Sequence, residues 1–502
     1  MFVTVMLSAF VNCLKLPELR NKIFITLALL FIARVGASIP LPGLDPYPLK
    51  VFLSSKSASA GGIVGLYNMF TGGAFLKGAV FGLGIMPYIS ASIIMQLAGA
   101  ISFSLARLQQ EGESGRQKIA QYTRHLTVVV CFIQGILLVL ALTNYPDKLF
   151  PGFNQSEYGS MVINHGMPFI LSSTLFLTAG TMILVWIGEQ ITQFGIGNGV
   201  SLLIAAGILS SMPNAVVQAI RMFNAPLGSL GSLTIWHGVV MAVLLFLVVA
   251  LMISVTQADR RIPVQYVSRV VGRKMYGGQS SYLPLKINYS GVMPVIFASA
   301  ILLFPQQIFA YIGAASNIEF FQKAASVLAH GSKIYYSLYG ILILCFSYFW
   351  VSVMFRPVQI AEDLKSNGGY IPGVRPGDAT ATFLDFVMTR LTMAGAIFLT
   401  AIAVLPDLLY FYFGIPYTIA LFFGGTGTLI AVGVVLETMK QIEGQLLQRN
   451  YDGFLKRMKS HSGRAGFSQI SCEIPAQLKF LFGVVCALFF VGLITWGVNS
   501  YL

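Results

Sequence analysis

One short pattern, G-x-M-P-x-I, occurs twice in the sequence, as Gly84-Ile-Met-Pro-Tyr-Ile89 and again as Gly291-Val-Met-Pro-Val-Ile296. Each copy adjoins an apolar stretch long enough to cross a membrane as a helix. A weaker pair links 197–204 with 424–430. Both pairs lie five candidate spans apart, and an odd offset gives the two copies opposite orientations. The repeats therefore predict an inverted arrangement of five plus five helices.

Composition places the chain in a membrane. Of its 502 residues, 56% are hydrophobic and 10% are charged, whereas soluble domains are about 45–50% apolar and about 25% charged. These values exclude soluble globular, disordered, collagen-like and disulfide-scaffold proteins, and they predict an all-α polytopic membrane protein. The candidate spans are 23–41, 78–101, 124–144, 167–187, 200–220, 235–256, 289–312, 334–355, 389–411, 416–438 and 480–498.

Basic residues predict the orientation of these spans. With the N-terminus in the cytoplasm, 24 of the 32 Lys and Arg residues lie on the cytoplasmic side, 7 lie outside and Arg34 lies within the first span. An excess of cationic loops in the cytoplasm is the usual pattern in membrane proteins. This asymmetry explains the net charge of +14 without requiring a nucleic-acid substrate.

The spans and charges divide the chain into five parts. We expect an amphipathic cytoplasmic segment at 1–22, a first half at 23–222, a second half at 223–440, a basic cytoplasmic segment at 441–479 and an extra transmembrane helix at 480–502. The last segment carries no charged side chain, which favours a span. An interfacial or buried helix lying against the bundle is the alternative.

Two long cytoplasmic loops, at about 257–288 and 356–386, combine Gly and Pro turn signals with basic residues. Loops that serve only to set the orientation of the chain in the membrane need basic residues but could be short. Their length and the β-branched run near Ile262 favour ordered docking surfaces over solvated loops.

The residues at mid-depth favour a passive pore. A solute transporter or pump would carry ionisable groups at mid-depth to coordinate its substrate. The two segments that contain the repeated G-x-M-P-x-I pattern instead place Gly, Pro and Ile at that depth. A ring of Ile would form an apolar constriction; the alternative is that these Ile side chains pack between helices or face lipid. The short apolar segment at about 62–73 precedes the second span and predicts either a movable plug or an ordinary interfacial helix.

The sequence gives little support for catalysis, metal binding or nucleotide binding. The five Cys and five His residues show no metal-ligand spacing, and no phosphate-binding G-x-x-x-x-G-K-[ST] pattern occurs. We therefore expect no enzyme activity, no metal and no cofactor. A secondary solute transporter with the same inverted repeat is the alternative function.

Seven strings, which follow one another in family order, resemble the SecY family of protein-conducting channels, and the resemblance extends over about residues 8–460. They are Asn68-Met-Phe-Thr-Gly-Gly73, Leu83-Gly-Ile-Met-Pro-Tyr-Ile-Ser-Ala-Ser92, Glu111-Gly-Glu-Ser-Gly-Arg-Gln-Lys118, Gly195-Ile-Gly-Asn-Gly-Val-Ser201, Leu283-Pro-Leu-Lys-Ile-Asn288, Gly373-Val-Arg-Pro-Gly377 and Phe423-Gly-Gly-Thr426. Members of this family usually have ten spans, so the helix at 480–502 departs from the family pattern.

The resemblance implies a site. The pore-ring positions would be Ile85, Ile89, Val200, Ile204, Ile296 and Ile430. The plug would be formed by Ile63, Val64, Leu66, Tyr67, Asn68, Met69 and Phe70. Docking to a SecA-type ATPase or to the ribosome, with possible ribosomal RNA contacts, would use Arg260, Arg261, Arg269, Arg273, Lys274 and Arg375.

The resemblance also implies a process and its partners. Unfolded secretory polypeptides would cross the cytoplasmic (inner) membrane, and a lateral gate between the second and third spans and the seventh and eighth would release membrane proteins into lipid. The partners would be SecE-like and SecG-like subunits, a SecA-type ATPase, the ribosome, signal sequences, nascent polypeptides and membrane lipid.

Overall fold

The computed structural model describes residues 17–48, 51, 63–144, 153, 158–162, 166–223, 235–266, 269–271, 274–276, 280–316, 319–328, 332–413, 419–420 and 425–460. The expected helix at 480–502, residues 1–16 and residues 461–479 lie outside this part of the chain. The described residues form a helical bundle with a small β-structure at one end.

The helices follow the apolar stretches of the sequence. The first half contains α1 (Pro17–Gly36), α2 (Ile63–Thr71), α3 (Met86–Ile101), α4 (Phe103–Gln110), α5 (Glu113–Asn144), α6 (Met167–Phe194) and α7 (Gly199–Phe223). The second half contains α8 (Ile235–Gln257), α9 (Met293–Ser316), α10 (Glu319–Val327), α11 (Lys333–Met354), α12 (Pro357–Ser366), α13 (Asp378–Phe413) and α14 (Thr426–Ser460).

Seven helices in the described part of the chain are long and apolar enough to cross a membrane. They match the predicted spans at 124–144, 167–187, 200–220, 235–256, 289–312, 334–355 and 389–411. The predicted spans at 23–41 and 416–438 overlap α1 and α14, which are not among those seven. A multi-pass helical membrane protein is confirmed.

The predicted span at 78–101 is wrong at its N-terminal end. Residues 80–85 form turns, and the helix begins only at Met86. Two local features explain the late start. Gly84 has a left-handed backbone with φ +59°, and Pro87 in the first turn has no N–H to donate to a preceding turn. At 1.5 Å per residue, α3 is about 24 Å long, which is shorter than the roughly 30 Å hydrocarbon core.

Helix packing repeats with an offset of five predicted spans. In the first half α3 packs on α5, and α5 packs on α6; in the second half α9 packs on α11, and α11 packs on α13. The halves meet where α3 contacts α9 and where α7 contacts α14. This order agrees with the five-plus-five arrangement predicted from the repeated pattern.

The two long loops form one ordered structure. The strands are β1 (Asp259–Tyr266), β2 (Arg269–Val271), β3 (Lys274–Tyr276), β4 (Ser280–Lys286) and β5 (Gly369–Tyr370). A three-stranded sheet has the order β4-β1-β5, with both pairs antiparallel, while β2 pairs with β3. Because β5 comes from the second loop, the sheet joins the two loops.

The sheet is fixed to the helices through its apolar face. Ile262 and Val264 alternate with exposed residues along β1, as expected for a strand with one buried face. They pack with Phe355 at the end of α11 and with Leu384 and Met388 of α13. The sheet is therefore a rigid extension of the bundle.

Candidate pore constriction and plug

The two copies of the G-x-M-P-x-I pattern have the same local structure. Gly84 and Gly291 have left-handed backbones with φ of +59° and +64°. Two residues later, Met86 and Met293 begin α3 and α9, each followed by a Pro. A Pro in the first helical turn costs no hydrogen bond, since the first N–H groups of a helix have no intrahelical partner. Ile89 and Ile296 consequently occupy equivalent places, one turn into their helices.

The structure brings all six predicted ring positions to one apolar cluster. Its buried members include Ile85, Ile89, Ile204, Ile296 and Ile430, and the partly buried Val200 packs against it. The six side chains come from α7, α9, α14 and the beginning of α3, so both halves contribute. Burial in one cluster is compatible with a closed constriction; the ring itself stays a prediction.

The segment predicted as a plug contains helix α2, and its side chains enter the same cluster. Tyr67, Met69 and Phe70 are buried there with the ring positions, and Asn68 is partly buried. The predicted positions Ile63, Val64 and Leu66 lie in the first part of α2. A helix that short cannot cross a bilayer.

A tight turn ends α2. Gly72 has φ +64° and Gly73 has φ +88°, a conformation that glycine adopts at little cost. The Gly73 N–H donates to the Asn68 carbonyl at 2.9 Å, which is the long hydrogen bond typical of a glycine-terminated helix. The Asn68 side chain also accepts a hydrogen bond from the Leu76 N–H at 3.3 Å. These contacts fix the direction in which the chain leaves α2.

Three contacts place α2 against the beginning of α3 and the middle of α7. The Tyr67 hydroxyl donates to the Leu83 carbonyl at 3.2 Å. A Cβ added at Gly84 would lie 3.0 Å from Thr71 Cγ2, and one added at Gly207 would lie 3.0 Å from the Phe70 carbonyl oxygen. Gly84 directly precedes a predicted ring residue, Ile85, and Gly207 lies one turn after another, Ile204. The end of α2 therefore touches the cluster that contains the ring positions.

The sequence places Arg34 within the first predicted span but indicates no role for it. In the structure its Nη1 donates to the Gly72 carbonyl at 3.2 Å. The contact joins residues 38 positions apart, so local sequence gives no signal for it. The available sequence signal is the presence of an Arg within a predicted span, because charged residues inside a membrane usually have a specific partner.

The predicted docking residues that the structure describes lie in the strands of the β-structure or in the turn before α13. Arg260 and Arg261 are exposed on β1, and Arg261 Nε lies 3.4 Å from Asp259 Oδ2. Arg375 is exposed in the turn before α13. Arg269 and Lys274 lie in β2 and β3, while Arg273 is outside the described residues.

Arg375 belongs to a stiff turn. Gly373 and Gly377 on either side have φ of +85° and +104°. The Arg375 carbonyl accepts a hydrogen bond from Thr380 Oγ1 at 2.9 Å, which ties the turn to the first residues of α13. The backbone of this turn is therefore held by the fold, while the Arg375 side chain is exposed.

Lys440 connects α14 with the base of the sheet. Its Nζ donates to the Thr256 carbonyl at 3.3 Å. Burial lowers the pKa of Lys440, and Lys286 lowers it further, while Glu443 and Asp259 oppose that shift. The Lys440 side chain therefore joins α14 to the end of α8, beside Lys286, Glu443 and Asp259.

Comparisons with known proteins agree on one family. The SecY family model matches residues 79–439. The protein translocase subunit SecY of Streptomyces galbus is 41% identical over 452 residues, which cover 90% of this chain and 100% of the relative. The SecY subunit of Escherichia coli K12 is 39% identical over 442 residues, with coverage of 88% and 95%.

Solved structures show the same fold. A structure described as a protein-conducting channel superimposes with a TM-score of 0.58 at 18% identity, covering 86% of this chain and 95% of that one. Sec61 in a canine ribosome–channel complex from the endoplasmic reticulum gives a TM-score of 0.54 at 16% identity, with the same coverage.

Proposed function

The chain belongs to the SecY family of protein translocase subunits, and from this premise we propose how it serves as a protein-conducting channel. Unfolded secretory polypeptides cross the cytoplasmic membrane through it, and hydrophobic segments leave it sideways into lipid. The N-terminus lies in the cytoplasm, on the same side as the β-sheet. Membership of this family argues against the alternative function, a secondary solute transporter.

One observation carries the proposal: the end of α2 packs against Gly84, next to Ile85, and against Gly207, one turn after Ile204. Ile85 and Ile204 belong to the cluster that brings together all six ring positions. An apolar constriction excludes water by dewetting and binds nothing specifically. Such a neck suits a polypeptide whose side chains vary along its length. With α2 packed against it, the neck is closed; a chain entering from the sheet side displaces α2.

The lateral gate is the seam between the halves where α3 contacts α9. The neighbouring helices, α5 and α11, complete its two sides. On the second side, the Phe297 ring of α9 packs edge-on against Trp350 of α11 with a centroid distance of 5.5 Å. Aromatic packing of this kind stabilises the contact between α9 and α11, and we expect the two helices to move together when the gate opens.

The energy for transport comes from partners. A SecA-type ATPase or a translating ribosome docks on the sheet end, where exposed Arg260, Arg261 and Arg375 offer contacts to carboxylates or phosphates. SecE-like and SecG-like subunits complete the complex. We assign no catalytic step to the chain itself.

Site-specific crosslinking tests this proposal. A photoreactive amino acid replaces Ile89, Ile296 or Ile430 in membranes that hold a polypeptide arrested during translocation. The matched control replaces Phe246 of α8, which is 78% exposed on the bundle surface. We expect the ring positions to crosslink to the arrested chain and Phe246 to crosslink to lipid or to other subunits. Crosslinks from Phe246 alone, or saturable uptake of a small solute, would contradict the channel.

A further inference from the structure

Arg34 is an ionisable residue within the first predicted span, and its side chain reaches the end of α2. Nη1 donates to the Gly72 carbonyl at 3.2 Å. Charged side chains at membrane depth are costly and usually have a functional reason. The partner of Arg34 is a backbone carbonyl on the segment proposed to be the plug.

The position of this carbonyl suits a cation. Gly72 directly follows α2, where the last carbonyls of the helix lack intrahelical partners and the helix dipole is negative. A Cβ at Gly72 would collide with the guanidinium, so glycine is needed for the close approach. On the α7 side, a Cβ at Gly207 would lie 3.6 Å from Arg34 Nη2. The guanidinium thus lies between α7 and the turn that ends α2.

Arg34 is not placed for maximal stability. Its Nε is buried and finds no hydrogen-bond partner among the described residues. A buried polar atom without a partner is unfavourable, and an apolar side chain would avoid that cost. The hydrogen bond to Gly72 is the contact that an apolar residue could not make.

We propose that Arg34 is a latch for the plug: its hydrogen bond to Gly72 holds α2 closed and sets how readily the channel opens. This inference rests on the proposed function, in which α2 is the plug. A carbonyl partner keeps the latch weaker than a buried ion pair, so α2 can leave when a polypeptide enters. In the opened pore, water solvates the guanidinium and replaces the lost bond.

The test measures resting ion conductance in planar bilayers containing the full-length chain with the subunits that copurify with it. Arg34→Met removes the donors, and Arg34→Gln removes the charge but keeps a polar side chain. We expect both to raise resting conductance roughly tenfold, the factor for one lost charge-assisted hydrogen bond. Lys77→Met is the matched control, because Lys77 is exposed in the same stretch after α2 and should leave conductance unchanged.

Deleting residues 63–71 separates the latch from the proposed function. The deletion alone should raise conductance, and Arg34→Met should add nothing to it, because the latch acts only through α2. Wild-type conductance in both Arg34 variants, with a leaky deletion, would overturn the latch and leave the channel intact. An equal rise from Arg34→Met in the deleted background would also overturn it. No effect of the deletion would contradict the plug itself. Immunoblots ensure that channels are compared at equal abundance, and Arg34→Gln decides if Arg34→Met fails to accumulate.

Discussion

Gly84 and Gly291 share one left-handed backbone conformation, at the same position before the two helices that meet at the seam between the halves of the bundle. They differ in their surroundings. A Cβ at Gly84 would lie 3.0 Å from Thr71 Cγ2 at the end of α2, whereas a Cβ at Gly291 would meet no atom within 4 Å. The repeat is thus conserved in backbone geometry between the halves, and only one copy touches the proposed plug.

This difference gives a matched pair of variants. Gly84→Ala and Gly291→Ala should each cost about 1–2 kcal/mol of stability, because both place a Cβ on a left-handed residue. Only Gly84→Ala should also press on Thr71, loosen α2 and raise resting ion conductance. Thermal unfolding in detergent and bilayer recordings measure the two effects. Equal leak from both variants would mean that backbone strain alone, and not contact with α2, opens the channel.

Sequence reasoning predicted the membrane class, the repeat and a short helix before the second span, because these depend on local composition and pattern. It placed the start of the second span too early, since residues 78–85 are apolar enough to continue a helix that Gly84 and Pro87 prevent. Hydropathy does not register left-handed glycines.

Contacts between residues far apart in the sequence could not be predicted from local sequence patterns. The Tyr370 hydroxyl donates to Gln265 Oε1 at 3.0 Å, 105 positions away along the chain, where β5 joins β1. The sequence predicts that both loops are ordered, but no local pattern indicates that they share a sheet. The contact between Arg34 and Gly72 was missed for the same reason.

A buried amide gives a prediction on stability. Gln306 in α9 is fully buried, and neither of its side-chain polar atoms has a hydrogen-bond partner in the described part of the chain. An unsatisfied buried group costs about 1–3 kcal/mol, so Gln306→Met should raise the unfolding temperature. Gln306→Glu should lower it, because a charge at a dry site costs more than an amide. Little change in either variant would mean that water reaches this position.

The docking surface can be tested by reversing one charge. Arg375→Glu should impair ATPase-driven translocation into vesicles at least severalfold and leave expression and insertion near normal, because the exposed side chain contributes little to its own fold. Lys323→Glu is a suitable control, since Lys323 is exposed on α10 and does not belong to the β-structure or to the turn that contains Arg375. Unchanged translocation by Arg375→Glu would show that this turn does not bind the driving partner.

The apolar neck itself is tested by polar substitution. Ile89 and Ile296 are equivalent by the repeat, are 4% and 2% exposed, and lie in the same cluster. Replacing both with Asn should stabilise water in the neck and favour the open state. We expect normal abundance, increased ion leak and easier passage of polypeptides with weak signal sequences.

The opposite reading of these two residues predicts a different phenotype. Because both side chains are buried, the alternative is that they only pack between helices; the paired Asn substitutions would then bury polar groups without partners, at about 1–3 kcal/mol each. The double variant would then accumulate poorly and show no leak. Bilayer recordings beside an immunoblot separate the two readings, because the first changes conductance at constant abundance and the second changes abundance alone. Normal conductance at normal abundance would remove both residues from the ring.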